Sequence, residues 1–295
     1  MAPNVATRVA FKNILFATDF SDPSRHALLH ALAMAKRYDA KLTVVHVAAP
    51  EAVTPIPMEP VPLELDWQKK KAAESLARLE DFEPLHMYPH QTILKQGRPW
   101  LEMSEIIEDN GIDLIVLGTH GRGLIGTLFL GSVAEQVLRH AKCPVLTVGP
   151  DVSPGIVDHE QLSHILFATD FSQGSMHAFP YALSLAEEDN AELTLVHVME
   201  QLQPMPVEYS NELLADYRKR LWELVPEDAN LWCKPHVVVE IGVAADIIVR
   251  TAHDRVVDLI VMGVHGGGVL ASHLPWTVVH SVVQHARCPV LTTRD

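Results

Sequence analysis

The octapeptide ILFATDFS occupies residues 14–21 and returns unchanged at residues 165–172. The offset of 151 residues (165 − 14 = 151) is about half of the 295-residue chain. An identical repeat at this distance indicates an internal duplication, because about 150 residues is a common size for one domain. Within the octapeptide, the apolar run ILFA predicts a buried strand, and Ser21 is a candidate N-cap for the helix that follows.

Three more pairs of segments repeat between the halves. The offset stays at 151 up to the second strand and is 145 after it, so the first half carries six extra residues (151 − 145 = 6). We expect one domain at residues 1–152 and another at 160–295, separated by a stretch of Pro, Gly and charged residues without hydrophobic periodicity. The repeated pairs are LTVVHV (42–47) with LTLVHV (193–198), DLIVLGTHG (113–121) with DLIVMGVHG (258–266), and HAKCPVLT (140–147) with HARCPVLT (285–292).

Each half alternates short apolar runs with amphipathic stretches. Continuous runs rich in Val and Ile, such as LTVVHV and LIVLG, are typical of strands that are buried on both faces of a parallel sheet. Helical patterns such as SDPSRHALLHALAMAKRYDA (21–40) and LDWQKKKAAESLARLEDF (65–82) separate these runs. The order β-α-β-α-β-α-β-α-β, present twice, predicts an α/β protein of two repeated, doubly wound, five-stranded parallel sheets with right-handed crossovers.

The composition argues against several classes of partner. The formal net charge is −14 and no block of five or more Lys or Arg residues occurs, so we expect no nucleic-acid partner. We also expect a cytoplasmic protein without a membrane partner, because the chain shows no apolar leader and no run of about 18 apolar residues. The 3 cysteines are expected to be reduced thiols.

A glycine-rich loop follows the fourth predicted strand of the first half. Its glycines follow the pattern Gly118-x2-Gly121-x9-Gly131-Ser132, and the segment from Ser132 to Glu135 fits a capping box that begins a helix. A strand, a glycine loop and a helix N-terminus together can form an anion cradle, because glycine lets backbone N–H groups approach phosphate oxygens. The alternative is a surface loop whose glycines only make turns.

Asp19 ends the first strand at the carboxyl edge of the same sheet, where open α/β folds bind ligands. A carboxylate there can accept hydrogen bonds from ribose hydroxyls. The alternative is that Asp19 only helps to begin the following helix, together with Ser21. Strand-end histidines also recur, as with His46 and His197, and for these we expect structural hydrogen bonds rather than ligand contacts.

From about residue 9 to its C-terminus, the chain resembles two tandem universal stress protein domains. The resemblance rests on the TDFS turn, the VVHV and DLIVLGTHG strands, and the GS-helix-CPVLTV ending. The loop resembles the family's ATP-binding signature, G-x2-G-x9-G-S/T, which implies a Rossmann-like, adenine nucleotide alpha hydrolase-like fold. The implied nucleotide contacts are the Val47 backbone with adenine, Asp19 with ribose, Gly118 and Gly121 with ribose and the first phosphate, and Gly131 and Ser132 with the outer phosphates, with Arg122 and Gly123 in the same loop.

The resemblance also implies a ligand and a form of association. ATP is the expected cofactor, and Mg²⁺ is a companion ion that the residues alone leave open. Family members commonly pair through the fifth strand, so the two halves are expected to form a pseudo-dimer within one chain. Whether two chains form a homodimer stays open.

The second half departs from the signature at its end. Trp276 stands at the position that matches Gly131, and Thr277 follows it. An indole there would fill a phosphate cradle, so we expect a degenerate nucleotide loop in this half. The alternative is a second nucleotide site built from the residues that survive. These weaker candidates are Asp170, Val198, Gly263, Gly266, Gly268 and Thr277.

Three functions fit these patterns. The expected one is a nucleotide-binding stress-response or signalling protein without fast catalysis, and we assign no catalytic residue and no metal ligand. The first alternative is a slow ATPase in which His120 or Asp19 acts with Mg²⁺. The second alternative is a structural interaction module whose loop is vestigial.

Overall fold

The computed structural model describes residues 9–48, 70, 73–74, 76–77, 79–80, 82–119, 130–152, 161–200, 206–227, 229, 233–264 and 275–294. The chain forms two compact units, Phe11–Pro150 and Asp151–Asp295, and the described N-terminal residues Val9 and Ala10 belong with the second unit. The N–H of Val9 donates to Ser184 Oγ at 2.8 Å, which ties residue 9 to that unit.

The first unit is a parallel sheet with helices between its strands. Its elements are β1 (Asn13–Ala17), α1 (Asp22–Tyr38), β2 (Lys41–Ala48), α2 (Glu83–His86), β3 (His90–Gln96), α3 (Pro99–Asp109), β4 (Leu114–Gly118), α4 (Ser132–His140) and β5 (Val145–Val148). The strands lie in the order β3-β2-β1-β4-β5. Ile14 of β1 is in register with Leu42 of β2 and Leu114 of β4, and all three side chains are buried.

The second unit repeats this architecture. Its elements are β6 (His164–Ala168), α5 (Gln173–Asp189), β7 (Glu192–Met199), α6 (Val207–Leu224), β8 (Pro235–Ile241), α7 (Ala244–Asp254), β9 (Leu259–Val264), α8 (Pro275–His285) and β10 (Val290–Arg294). The strands lie in the order β8-β7-β6-β9-β10, and the neighbouring strands of each unit pair in parallel. The prediction of two doubly wound, five-stranded parallel sheets is confirmed.

The strand order creates a crevice in each unit. In the first unit the chain moves from β1 outward to β3 and then returns to the other side of β1 with β4. The direction of winding therefore reverses between β1 and β4, and the carboxyl ends of these two strands border the crevice in which doubly wound folds bind ligands. In the second unit, β6 and β9 take the same places.

The helix after the first strand begins and ends in the same way in both units. Ser21 is the N-cap of α1 and accepts the Ser24 N–H at 3.3 Å, as predicted. Ser172 caps α5 in the same way. The C-caps, Asp39 and Asn190, have φ of 50° and 53°, the left-handed conformation that short polar residues tolerate.

Two predictions about helices depend on how much of the chain is described. Most of the helix predicted between residues 65 and 82 lies outside the described residues. Among the helices in the described ranges, none combines the length and the apolar character that crossing a membrane requires.

Candidate functional site

The turn between β1 and α1 is held by short hydrogen bonds. The Thr18 hydroxyl lies 2.5 Å from Ser24 Oγ and accepts the Phe20 N–H at 3.0 Å. Asp19 Oδ1 accepts two hydrogen bonds from Ser21, one from its N–H at 3.0 Å and one from its hydroxyl at 2.6 Å. Because Ser21 is also the N-cap, the Asp19 carboxylate orients the residue that begins α1.

The same turn recurs between β6 and α5. The Thr169 hydroxyl lies 2.9 Å from Ser175 Oγ and accepts the Phe171 N–H at 2.9 Å. Asp170 Oδ1 accepts the N–H and the hydroxyl of Ser172, at 3.0 Å and 2.5 Å. The Thr, Asp and Ser of the TDFS sequence therefore make the same turn and capping hydrogen bonds in both units. This shared role accounts for the repetition of the sequence.

A phenylalanine with positive φ lies in each turn and contacts a histidine of the next strand. Phe20 has φ 64° and Phe171 has φ 61°, a conformation that bulky residues rarely adopt. Their ring centroids lie 4.4 Å from His46 and 4.9 Å from His197. Each histidine bonds through Nδ1 to the carbonyl of the turn threonine, at 2.7 Å and 2.8 Å, so Nδ1 carries the hydrogen. The expected structural hydrogen bonds of these histidines are present.

The two turn aspartates differ in exposure. Asp19 is half-buried, whereas Asp170 is exposed. Their hydrogen bonds to Ser21 and Ser172 are those of a turn that begins a helix, which is the simpler of the two roles that the sequence left open. A contact between Asp19 and a ribose stays a prediction.

A glycine near the end of β4 or β9 lies against the start of the first helix of its unit. A Cβ atom built on Gly118 would lie 3.4 Å from the Pro23 carbonyl oxygen, which is ordinary contact. A Cβ atom built on Gly263 would lie 2.1 Å from the Gly174 carbonyl oxygen and 2.5 Å from Ser175 Cα. Close packing of strand against helix therefore requires a glycine at position 263.

The start of α4 corrects one detail of the sequence analysis. Gly131, with φ −60° and ψ 140°, is the N-cap, and Ser132 is the first helical residue. The predicted capping box is wrong, because Ser132 lies one position too late to cap and Glu135 instead pairs with Arg139 at 2.9 Å. The Gly131 N–H donates to the buried Thr119 carbonyl at 2.8 Å, which joins the end of β4 to the start of α4.

The remaining candidates divide into those that the structure describes and those that it does not. Val47 and Val198 lie near the carboxyl ends of β2 and β7, and both are partly exposed. Thr277 is exposed in the first turn of α8. The candidates that lie outside the described residues are His120, Gly121, Arg122, Gly123, Gly266 and Gly268, and the side chain of Trp276 is likewise not described.

The second unit contains an aromatic cluster that sequence analysis did not find. The ring centroid of Tyr217, on α6, lies 4.2 Å from that of His197 and 5.8 Å from that of Phe171. The Tyr217 and Phe171 rings are nearly parallel, with an angle of 23° between their planes. The Arg220 guanidinium lies 4.1 Å from the centroid of Phe171 and 5.2 Å from that of Tyr217. Burial lowers the pKa of His197 and nearby Arg220 adds to this, while the Thr169 carbonyl and Asp170 oppose it.

The cysteines are free thiols, as expected. Burial raises the pKa of Cys143 to about 11 and that of Cys288 to about 12. Both thiols therefore stay protonated at neutral pH and are poor nucleophiles. Their place before the last strand of each unit is explained by packing.

Comparison with known proteins decides the family. A sequence profile of the universal stress protein family matches residues 10–149 and 162–294, which is most of the chain and one match per unit. The chain belongs to the universal stress protein family. It is a tandem member, since each match covers one of the two compact units.

Some relatives of this universal stress protein match about one half of the chain, and others match most of it. A universal stress protein of Methanocaldococcus jannaschii is 34% identical over 144 residues, which are 47% of this chain and 82% of the relative. A universal stress protein of Mycobacterium tuberculosis is 26% identical over 301 residues and covers 96% of both chains. The crystal structure of a universal stress protein from Archaeoglobus fulgidus superposes with a TM-score of 0.70 at 22% identity, covering 96% of this chain and 98% of that one, which supports the fold.

Proposed function

We propose that the first unit binds ATP at the carboxyl edge of its sheet, and that occupancy rather than rapid turnover is its contribution to a stress response. The observation that carries the proposal is the junction between β4 and α4. Gly131 has no side chain with which to cap the helix, and its own N–H is bonded to Thr119. The N–H groups of the first turn, which have no partner within the helix, are therefore presented together with the exposed Ser132 hydroxyl.

The other predicted contacts lie on neighbouring elements of the same edge. Asp19 follows β1 and would bond the ribose, while the Val47 backbone near the end of β2 would contact the adenine. The phosphates would extend from Gly118, at the end of β4, to Gly131 and Ser132. A side chain at position 131 would reduce the space for phosphate. A Cβ on Gly131 would already lie 3.3 Å from the Thr119 carbonyl oxygen, and a larger side chain would enter the space beside the helix start.

Family membership supports a cytoplasmic, nucleotide-dependent signalling role for this site. ATP has more phosphate charge to place at the start of α4 than AMP has, so the proposal predicts a preference for ATP. When Mg²⁺ accompanies the nucleotide, it would neutralise part of that charge.

Substitution at Gly131 tests the phosphate end of the site. Gly131→Trp copies the second half and should weaken ATP binding about tenfold or more, with a smaller effect on AMP, because the indole occupies the space of the outer phosphates. Gly131→Ala is the matched control, since it adds the same Cβ without the indole. The measurement is isothermal titration with both nucleotides, and equal penalties for ATP and AMP in the Gly131→Trp protein would contradict the phosphate assignment.

Phosphate release separates binding from catalysis. We expect the wild-type protein to release phosphate from ATP no faster than Gly131→Trp does at saturating nucleotide. Steady-state release well above that variant would instead indicate a slow ATPase. Equilibrium dialysis that finds no binding at millimolar ATP would indicate a structural interaction module.

A further inference from the structure

Helix α6 of the second unit contacts the residues that flank that unit's nucleoside positions. Asp170 and Val198 match the ribose and adenine contacts proposed for the first unit. Phe171 directly follows Asp170, and His197 directly precedes Val198. The Tyr217 ring lies against both Phe171 and His197, so one side chain bridges the turn after β6 and the end of β7.

Arg220 completes this contact from the same face of α6. It lies three residues after Tyr217, which places the two side chains as neighbours on the helix. Its guanidinium lies 4.1 Å from the Phe171 centroid, and Arg220 as a whole is an exposed residue. Phe171 thus receives both a stacked ring and a cation from its own chain, the two interactions that an aromatic face offers to a ligand.

An intramolecular occupant has an advantage over a free ligand. Tyr217 is held near Phe171 by the rest of α6, so its effective concentration there greatly exceeds the concentration of a dissolved nucleoside. A purine that stacked at this edge would have to displace a ring that is already in place. The glycine that would offset this by binding phosphate is replaced in the second half by Trp276.

We infer that Tyr217 and Arg220 close the nucleoside end of the second unit, so that this half excludes adenine nucleotides independently of Trp276. The inference rests on the proposed function, from which it takes the positions of the ribose and the base. It has a distinct consequence for Trp276→Gly. That substitution alone leaves the stoichiometry unchanged, because the base end stays covered.

The experiment is isothermal titration of the full chain with adenosine and with ATP. Tyr217→Ala should raise the stoichiometry from one site to two, and the added site should bind adenosine at least about tenfold more tightly than the second half of the wild-type protein does. Combining Tyr217→Ala with Asp170→Ala should remove the added site and leave the first. The matched control is Tyr209→Ala on the same helix, where the side chain is 53% exposed, and it should leave one site.

Folding of each variant is checked by its cooperative thermal transition. If Tyr217→Ala does not fold, Arg220→Ala decides, because it removes an exposed side chain from the same cluster and should open the second site to a smaller degree. Folded variants that bind no more adenosine than Tyr209→Ala does would overturn the inference. So would a wild-type chain with two sites, one of which Asp170→Ala removes.

The outcomes also separate this inference from the proposed function. A wild-type chain that binds no nucleotide, with one Asp170-dependent site in Tyr217→Ala, would refute the proposed first site and support closure of the second. One site in the wild-type protein and one site in Tyr217→Ala would support the proposed first site and refute closure of the second. Gain of a second site by Trp276→Gly alone would contradict closure by α6.

Discussion

The turn after the first strand has the same hydrogen bonds in the two units, whereas the exposure of its aspartate differs: Asp19 is half-buried and Asp170 is exposed. Asp19 and Asp170 accept the same pair of hydrogen bonds from the serine that caps the next helix. In the second unit, Tyr217 and Arg220 cover the phenylalanine of the turn, and the matching stretch of the first unit lies mostly outside the described residues. The shared part is explained by folding, so the presence of Asp170 is weak evidence for a ligand. Evidence about ligands lies in what differs.

The glycine near the end of β4 or β9 shows a second difference between the units. Gly118 and Gly263 occupy matching positions, and each faces the first turn of the first helix of its unit. The strand glycine lies much closer to this turn in the second unit, where Gly174 stands at the position that Pro23 has in the first unit. A glycine of the nucleotide signature can therefore persist for packing alone.

The largest expected effect comes from adding a methyl group at these glycines. Gly263→Ala should lower the free energy of unfolding by about 3 kcal/mol or more, because its Cβ would collide with backbone that cannot rotate away. Gly118→Ala, the matched substitution, should cost less than about 1 kcal/mol, since its nearest contact is 3.4 Å. Urea denaturation measures both. Equal losses would show that the two units pack alike at this position.

A buried histidine should make the first unit sensitive to acid. His30 of α1 is buried, and burial, aided by His26, lowers its pKa to about 4, while the matching residue of the second unit is Tyr181. Because the folded-state pKa lies below the unfolded value, the unfolded state takes up the proton first as the pH falls. Stability should decline by about 3 kcal/mol between pH 6.5 and pH 4 and be unaffected by this group above pH 7.

Substitution of His30 provides the control for this pH dependence. His30→Leu removes the titrating group and should flatten the loss of unfolding free energy between pH 6.5 and pH 4. Urea denaturation at a series of pH values gives the comparison. An unchanged slope in the variant would show that folding does not lower the pKa of His30.

A smaller effect is expected at the helix caps. Ser21→Ala and Ser172→Ala each remove the N-cap oxygen of the helix after the first strand, and each should cost about 1 kcal/mol. The two losses should be similar, because the capping bonds measure 3.3 Å and 3.2 Å. Thermal denaturation measures both, and a clearly larger effect in one unit would mean that the shared turn is not equivalent.

The fold and the shared turn could be predicted from the sequence because their signals are local. The buried run that forms β1 and the capping role of Ser21 both follow from short-range patterns. The start of α4 was misplaced by one residue, since Gly131 and Ser132 are both acceptable N-caps and only the backbone angles distinguish them.

The aromatic cluster could not be predicted, because it is a long-range contact. Tyr217 lies 46 residues after Phe171 (217 − 171 = 46), and neither it nor Arg220 belongs to a segment that the duplication repeats. A tyrosine and an arginine at helical spacing are ordinary features of an exposed helix face. Only the packing of α6 against the turn reveals their partner.

Titration of ATP into matched aspartate variants tests the central claim, one nucleotide site per chain in the first unit, most directly. Asp19→Ala and Asp170→Ala remove the same pair of turn hydrogen bonds, so each variant controls for the loss of those bonds in the other. We predict a stoichiometry near one for the wild-type protein, a loss of about 1.5–3 kcal/mol in binding for Asp19→Ala, and little change for Asp170→Ala. Two equivalent sites, or equal losses in the two variants, would contradict the claim.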